Sequence, residues 1–138
     1  MKRIATLVLF TIVALVTAGG ARAQAHSVRA RVPFAFTAGN DPLPPGNYEI
    51  TTSSSGVIEI RNRDNSVAVL TTTTYNSKEL RNGAKLVFSR YGSQFFLSEI
   101  LCAYAPLNVS LPSSNQEKRA RQQKATITTP NAVFIAAK

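Results

Sequence analysis

The chain has 138 residues and a net charge of +9, with 16 Lys and Arg against 7 Asp and Glu. It contains one histidine and one cysteine. An intramolecular disulfide is therefore excluded, and a familiar zinc site, which needs several such ligands, is not expected. A chain of this length is enough for one domain, and packing alone must stabilise it.

Residues 1–23 have the pattern of a secretory signal peptide. Met1-Lys2-Arg3 is a positive start, Ile4 to Ala18 carries no charge, and Ala21-Arg22-Ala23 matches the small-residue cleavage pattern. The apolar run is shorter than the roughly 20 residues that span a bilayer, so we expect a cleaved signal and no transmembrane segment after it. Cleavage after Ala23, or else after Ala25, leaves residues 24–138 as a single β-rich domain in the periplasm or the extracellular space.

The first part of this domain alternates with period two, which is typical of half-buried strands. From Val28 to Thr37, we expect every second residue to point inward: Val28, Ala30, Val32, Phe34 and Phe36. Pro33 lacks a backbone donor, which suits an edge strand or a bulge. The run from Gly39 to Gly46 is rich in Gly and Pro and is predicted to be a loop.

Three more strands are predicted before the middle of the chain. They are Asn47 to Thr52, with Tyr48 and Ile50 inward, then Val57 to Arg61, then Ser66 to Thr74. Short polar turns separate them, and the third is rich in β-branched residues, which favour strands.

The clearest unit is a predicted hairpin around a two-residue turn at Gly92-Ser93, between Lys85–Tyr91 and Gln94–Ala103. This register places Phe88 opposite Leu97 and Arg90 opposite Phe95. Simple alternation then puts Leu86 on the side of Phe88, and Val87, Phe96 and Ile100 on the other. Cys102 lies in this apolar strand, where a free cysteine usually acts as a small hydrophobic residue.

One segment changes to a helical pattern. Ser113 with Gln116, and Ser114 with Glu117, are two overlapping capping-box spacings. Good helix formers follow, so we predict a short exposed helix over about 114–123. A final β-like stretch runs through Ala125–Thr129 and Ala132–Ala137.

Three segments carry a resemblance to a known group of proteins. They are Val32–Phe36 leading into Leu43–Tyr48, then Lys85–Gly92 with Phe95–Ile100, and then Leu111–Ser114. In these motifs the chain resembles small exported all-β proteins of unknown function, abundant in acidobacteria, that read VPF-x-F, LP-x-G-x-Y, LVF-x-RYG and FLSEI. It departs at Leu101, where many members carry an aromatic residue. The resemblance implies an all-β exported domain and a Gram-negative host, and it implies no activity.

The titratable residues form no recognisable catalytic pattern. His26 lies next to the predicted mature end, where chains are commonly mobile. Glu59 and Glu99, both in predicted strands, are the carboxylates that come nearest to a glycosidase pair, although solvent-facing positions are commoner for such residues. No Gly-rich phosphate loop is present, and the sequon Asn108-Val109-Ser110 has no meaning in a bacterial host. We expect no enzymatic activity, no metal and no cofactor.

Two features are candidates for binding. The basic residues are expected on one strand face and on the helix, and they form a candidate anion-binding set: Arg29, Arg31, Lys118, Arg119, Arg121 and Lys124. An exported chain meets anionic envelope polymers or protein partners rather than nucleic acid, although a merely solvated basic surface is the commoner case. The tyrosines, expected at strand ends or in loops, either serve a ligand or cap the core: Tyr48, Tyr75, Tyr91 and Tyr104.

These observations predict an all-β fold, a small antiparallel β-barrel or sandwich of seven or eight short strands with one short helix in the C-terminal region. The expected function is that of an exported, non-enzymatic domain that binds an envelope component or a partner protein. Two alternatives stay open. One is a carrier for a small apolar ligand, which needs a cavity lined by Phe34, Phe36 and Phe88. The other is an inhibitor of an extracytoplasmic hydrolase.

Overall fold

The computed structural model describes residues 26–78, 80–124 and 131–138. The predicted signal peptide and the predicted strand Ala125–Thr129 lie outside the described residues. In the described part, eleven strands and one α-helix follow one another, with a short 3-10 turn at Ala105–Leu107. The strands are β1 Ser27–Val32, β2 Phe36–Ala38, β3 Asp41–Leu43, β4 Gly46–Ser54, β5 Val57–Asn62, β6 Ala68–Thr72, β7 Thr74–Tyr75, β8 Ala84–Tyr91, β9 Gln94–Cys102, β10 Val109–Ser110 and β11 Asn131–Ala137. The helix, α1, spans Asn115–Lys124.

The strands form two sheets, which confirms the predicted all-β class with one short helix. Sheet A has the order β1-β4-β5-β6. Sheet B has the order β11-β8-β9-β10-β7, and it also carries β2 on β9 and β3 on β2. The long pairings are antiparallel, and the bridge between Thr37 of β2 and Phe96 of β9 is parallel.

The core lies between the two sheets. The inward residues of sheet A meet those of sheet B there, and the largest fully buried apolar side chains are Tyr48, Phe88, Ile50, Ile58, Ile60, Leu86, Ile100 and Leu107. Tyr48 and Ile50 point inward as predicted, because β4 alternates and only one of its faces is covered. Cys102 is free and buried in the same cluster.

The two sheets are joined on both sides. The N–H of Arg29 in β1 donates to the carbonyl of Lys138, which follows β11, at 2.7 Å, and the N–H of Lys138 donates back at 2.9 Å. On the other side the chain passes from β6 in sheet A to β7 in sheet B with only Thr73 between them. Sheet B therefore curls round onto sheet A, as in a small barrel.

Two predictions for the first part of the domain are wrong. The strand expected from Val28 to Thr37 is split at Pro33, where the chain leaves sheet A after β1 and enters sheet B as β2. The expected loop from Gly39 to Gly46 contains β3, which pairs with β2 across the turn at Gly39, where φ is +61°. Pro42 fits in β3 because, among the described residues, β3 pairs with β2 alone, so no donor is needed on its outer side.

The β8–β9 hairpin has the predicted turn and the predicted pairs Phe88–Leu97 and Arg90–Phe95. Beyond them the register shifts, because Val87 pairs with Glu99 and leaves Ser98 as an extra residue. This bulge reverses the alternation along β9. Ile100 therefore lies in the core with Leu86 and Phe88, and its predicted place on the face opposite to Phe88 is wrong.

Candidate functional site

Helix α1 lies against the outer face of sheet B through a small interface. Ala120, in the middle of the helix, packs with Tyr91 of β8 and Phe96 of β9, whose rings are 5.9 Å apart. The helix was predicted to be exposed, but Ala120 and Glu117 are buried. Neither residue is a large apolar one, so the sequence carried only a weak signal for a buried helix face.

The start of α1 is fixed by the second of the two predicted capping boxes. The Oγ of Ser114 accepts a hydrogen bond from the N–H of Glu117 at 3.0 Å. Ser114 is therefore the N-cap, and its side chain satisfies one of the free N–H groups of the first turn. Because Ser114 is itself buried, this cap holds the beginning of the helix against the domain.

Glu117 brings a carboxylate into this interface. Burial raises its pKa above the ordinary value, and hydrogen bonding to Ser113 and the charge of Arg121 offset part of that effect. The hydroxyl of Tyr91 lies 3.5 Å from Oε1 of Glu117. Burial, together with the nearby Glu117 charge, also raises the pKa of Tyr91.

The exposed part of α1 is basic. Lys118, Arg119 and Arg121 are exposed, and none of them makes an ion pair within the described part of the chain. Lys124 is the last residue of the helix, and its side chain lies outside what the structure describes. We call Lys118, Arg119 and Arg121 the basic face of α1.

The two strand arginines of the candidate set lie elsewhere. Arg29 and Arg31 project from β1, in sheet A, whereas α1 packs on sheet B. Arg29 is engaged by Glu49, with Nε and Oε1 2.9 Å apart. Arg31 is exposed, and its charge helps to lower the pKa of Asp64, for which hydrogen bonds from Asn47 are the main cause. The residues of the candidate anion-binding set therefore lie in two separate groups, one on β1 of sheet A and the other on the helix that packs against sheet B.

The carboxylates considered as a glycosidase pair are also apart. Glu59 in sheet A pairs with Arg61 at 2.6 Å, and Glu99 in sheet B pairs with Lys78 at 2.7 Å. Among the described residues, no group of three His, Cys, Asp or Glu side chains is placed to hold a metal ion. His26 lies against Tyr104, with 4.5 Å between the ring centroids.

Aromatic rings fill the place where a carrier would need a cavity. Phe88 makes edge contacts with Phe34 and Phe36, each at 5.2 Å between centroids, and Phe34 stacks on Phe95 at 4.1 Å. Tyr48 is buried in the core, Tyr91 is buried beneath α1 on the outer face of sheet B, and Tyr75 and Tyr104 are exposed.

A surface cleft of about 370 Å³ near the start of α1 was not predicted. It lies between the β2–β3 hairpin, the β8–β9 turn and Gln116. Its walls are apolar or polar but uncharged, with Phe36, Pro42 and Phe95 among them, so the cleft offers no charged side chain. The Pro-rich run from Gly39 to Gly46 is evident in the sequence. The sequence does not indicate that this run pairs with β2 as a hairpin and so forms one wall of the cleft.

A buried polar network was likewise not predicted. The Nδ2 of Asn108 donates to the carbonyls of Asn76 and Lys78 at 2.8 and 2.7 Å. The side chain of Asn108 is therefore committed to the fold, and the sequon that contains it is closed to modification in the folded chain.

No helix in the described ranges is long and apolar enough to cross a membrane. Comparison of the chain with protein-family models, with curated proteins and with solved structures found no match.

Proposed function

We propose that the protein is an exported, non-enzymatic domain that binds an anionic component of the cell envelope, or an acidic partner protein, through the basic face of α1. The observation that supports this proposal most strongly is a difference in ion pairing between the cations outside α1 and those on α1. Arg29, Arg61 and Lys78 are neutralised by carboxylates of the fold. Lys118, Arg119 and Arg121 are exposed and make no ion pair in the described residues, although Arg121 is near enough to the buried Glu117 for its charge to act on that carboxylate.

The way α1 is held supports a role in binding. Its cap at Ser114 and its contacts through Ala120 fix the helix on sheet B, so its cations are presented from a rigid element. A preorganised row of cations loses less entropy when a polyanion binds than cations on a mobile loop would. Guanidinium groups also match phosphate and carboxylate oxygens with paired hydrogen bonds.

The packed interior favours a binding surface over a carrier. Phe34, Phe36 and Phe88 contact one another where a ligand would have to lie. Glu59 and Glu99 are held in separate ion pairs on different sheets, so they do not form a glycosidase pair.

The test is a pull-down of residues 24–138 with immobilised polyphosphate and polyglutamate, and with neutral dextran as the reference bead. Wild type is expected to bind the anionic beads at low salt and to be released as salt rises. Arg119→Ala plus Arg121→Ala should abolish binding, and alanine preserves the helix because it is the best helix former.

Arg63→Ala plus Arg81→Ala is the matched control. It removes the same charge from two exposed arginines outside α1, and it should bind nearly as well as wild type. Binding that survives salt, or that both double variants weaken equally, would remove the proposal. Unfolding curves of both variants should match wild type, which shows that any loss is not a loss of fold.

A further inference from the structure

The N-terminus of the predicted mature chain carries the single histidine in third place. Cleavage after Ala23 leaves Gln24-Ala25-His26 as the first three residues, with a free α-amino group on Gln24. Gln24 and Ala25 lie outside the described residues. His26 is described, is exposed, and comes directly before β1, which begins at Ser27. His26 is therefore not held in the strand pairing that builds the domain.

This order of residues supplies four nitrogen ligands for one metal ion. They are the α-amine of Gln24, the main-chain nitrogens of Ala25 and His26, and Nδ1 of the His26 ring. Successive ligands are joined by short stretches of chain, so all four can surround one ion in a plane. Planar coordination by four nitrogens is the geometry that Cu(II) and Ni(II) favour, and Cu(II) binds most tightly among the divalent first-row metals.

The earlier expectation of no metal concerned sites built from side chains. A familiar zinc site needs several His, Cys or carboxylate ligands, and the chain has one histidine and one cysteine. At this N-terminus three of the four ligands are main-chain nitrogens, so a single histidine is enough.

The positive charge of the chain does not prevent a cation from binding in this way. A net charge of +9 repels free cations, but metal binding displaces the protons of its ligands. An α-amino group has an ordinary pKa of about 7.7–8.0, so it releases its proton near neutral pH. Each of the two amide nitrogens that loses its proton contributes one negative charge. The Cu(II) chelate as a whole is therefore neutral.

The surroundings of His26 leave its ring nitrogens available. The ring lies against that of Tyr104, which is 57% exposed, and this contact is between aromatic rings. No ion pair in the described part of the chain involves His26. The thiol of Cys102 is buried in the core, so it does not compete for the metal in the folded protein.

We propose that Gln24-Ala25-His26, at the N-terminus of the mature chain, is a binding site for Cu(II), and for Ni(II) with lower affinity. The site rests on the export in the proposed function and on cleavage after Ala23. It does not involve the basic face of α1.

The first test is a titration of residues 24–138 with copper sulfate, with glycine present as a competing chelator. The protein is released from a fusion by a protease that leaves Gln24 as the first residue. Wild type is expected to bind one Cu(II) per chain, with the visible absorption typical of planar coordination by four nitrogens. Zinc chloride should not displace the copper, because Zn(II) favours tetrahedral sites.

Three variants separate this site from copper binding elsewhere on the surface. His26→Ala removes the imidazole and should lose the copper that wild type holds against glycine. Ala25→Pro keeps the imidazole but removes one main-chain N–H, and it should lose the copper as well, whereas Ala25→Ser keeps that N–H and should bind as wild type does. One glycine added before Gln24 keeps every side chain but moves the histidine to fourth place, and it should also lose the copper. Equal copper binding by wild type and the glycine-extended chain, or by wild type and His26→Ala, would overturn the proposal.

The second test reads the mature N-terminus. The full chain, residues 1–138, is expressed in a Gram-negative host, recovered from the periplasm, and characterised by intact mass and N-terminal sequencing. The expected first residue is Gln24 with a free amine. Any other first residue, or a Gln24 amine closed into a cyclic lactam, would overturn the proposal. Binding to anionic beads enters neither readout, so this proposal and the binding role of α1 fail separately.

Discussion

The phenol of Tyr91 and the carboxylate of Glu117 face each other at 3.5 Å between α1 and sheet B. Both groups have a raised pKa, with burial as the leading cause. The basic face of α1 depends on this interface, because Glu117 and Ala120 hold against sheet B the helix that carries the cations.

The first prediction concerns pH. Because the pKa of Glu117 is higher in the folded chain than in the unfolded chain, the folded state binds the proton more tightly. The stabilising contribution of this group is present below the unfolded pKa, and it is lost as the pH rises through the folded pKa. Glu117→Gln should therefore flatten the pH dependence of the unfolding free energy in that window, measured by urea titration. Glu99→Gln, at an exposed ion pair, should retain it, and parallel curves for wild type and Glu117→Gln would contradict the prediction.

The second prediction concerns the helix cap. Ser114→Ala leaves the N–H of Glu117 without its acceptor and should lower the unfolding free energy by about 1 kcal/mol. Ser113→Ala, at the alternative capping position, should cost less, because Ser113 is exposed. The unfolding free energies of the two variants are measured by urea titration. Equal losses of unfolding free energy would show that the cap is not specific to Ser114.

The third prediction concerns the bulge in β9. The Oγ of Ser98 donates to the carbonyl of Val87 at 2.9 Å, so Ser98→Ala should cost about 1 kcal/mol. Deleting Ser98 removes the extra residue and leaves Phe88 opposite Leu97 and Val87 opposite Glu99. Ile100 and Cys102 therefore stay in the core, and the deletion should cost about as much as Ser98→Ala. The readout is urea unfolding with near-ultraviolet circular dichroism. A deletion variant that is far less stable than Ser98→Ala, or that loses its near-ultraviolet signal, would contradict this account of the bulge.

The fourth prediction concerns the buried amide of Asn108. Asn108→Ala leaves the carbonyls of Asn76 and Lys78 without donors and should lower the unfolding free energy by roughly 3 kcal/mol. Asn65→Ala is the matched control, because its side chain accepts one surface hydrogen bond from Val67. Urea unfolding measures both variants, and equal losses of unfolding free energy would show that the Asn108 hydrogen bonds do not stabilise the fold.

The fold was predictable where local rules decide it. The Gly92-Ser93 turn and the alternation beside it predict the pairs Phe88–Leu97 and Arg90–Phe95, because turn length sets register. The bulge at Ser98 was not predictable, since an extra residue in one strand leaves no local mark in a sequence that is apolar on both faces. The departure from sheet A at Pro33 depends on tertiary packing, because the inward alternation continues through Val32 and Phe36 across the break.

The candidate site was predictable in part. The exposed cations of α1 follow from its composition and its capping box. The pairing of Arg29 with Glu49 joins β1 to β4, 20 residues further along the chain, and depends on a strand register that the sequence does not specify. The place of β6 at the end of sheet A was not predictable for the same reason, because only the sheet order shows which strand is last.

The most direct test of the central claim is the salt dependence of binding to polyphosphate, measured for residues 24–138 and for the Arg119→Ala plus Arg121→Ala variant. We predict that affinity falls steeply and linearly on a logarithmic plot for wild type, and that the slope is smaller by about one for each cation removed. Equal slopes for the two proteins, or a wild-type affinity that does not change with salt, would contradict a binding role for the basic face of α1.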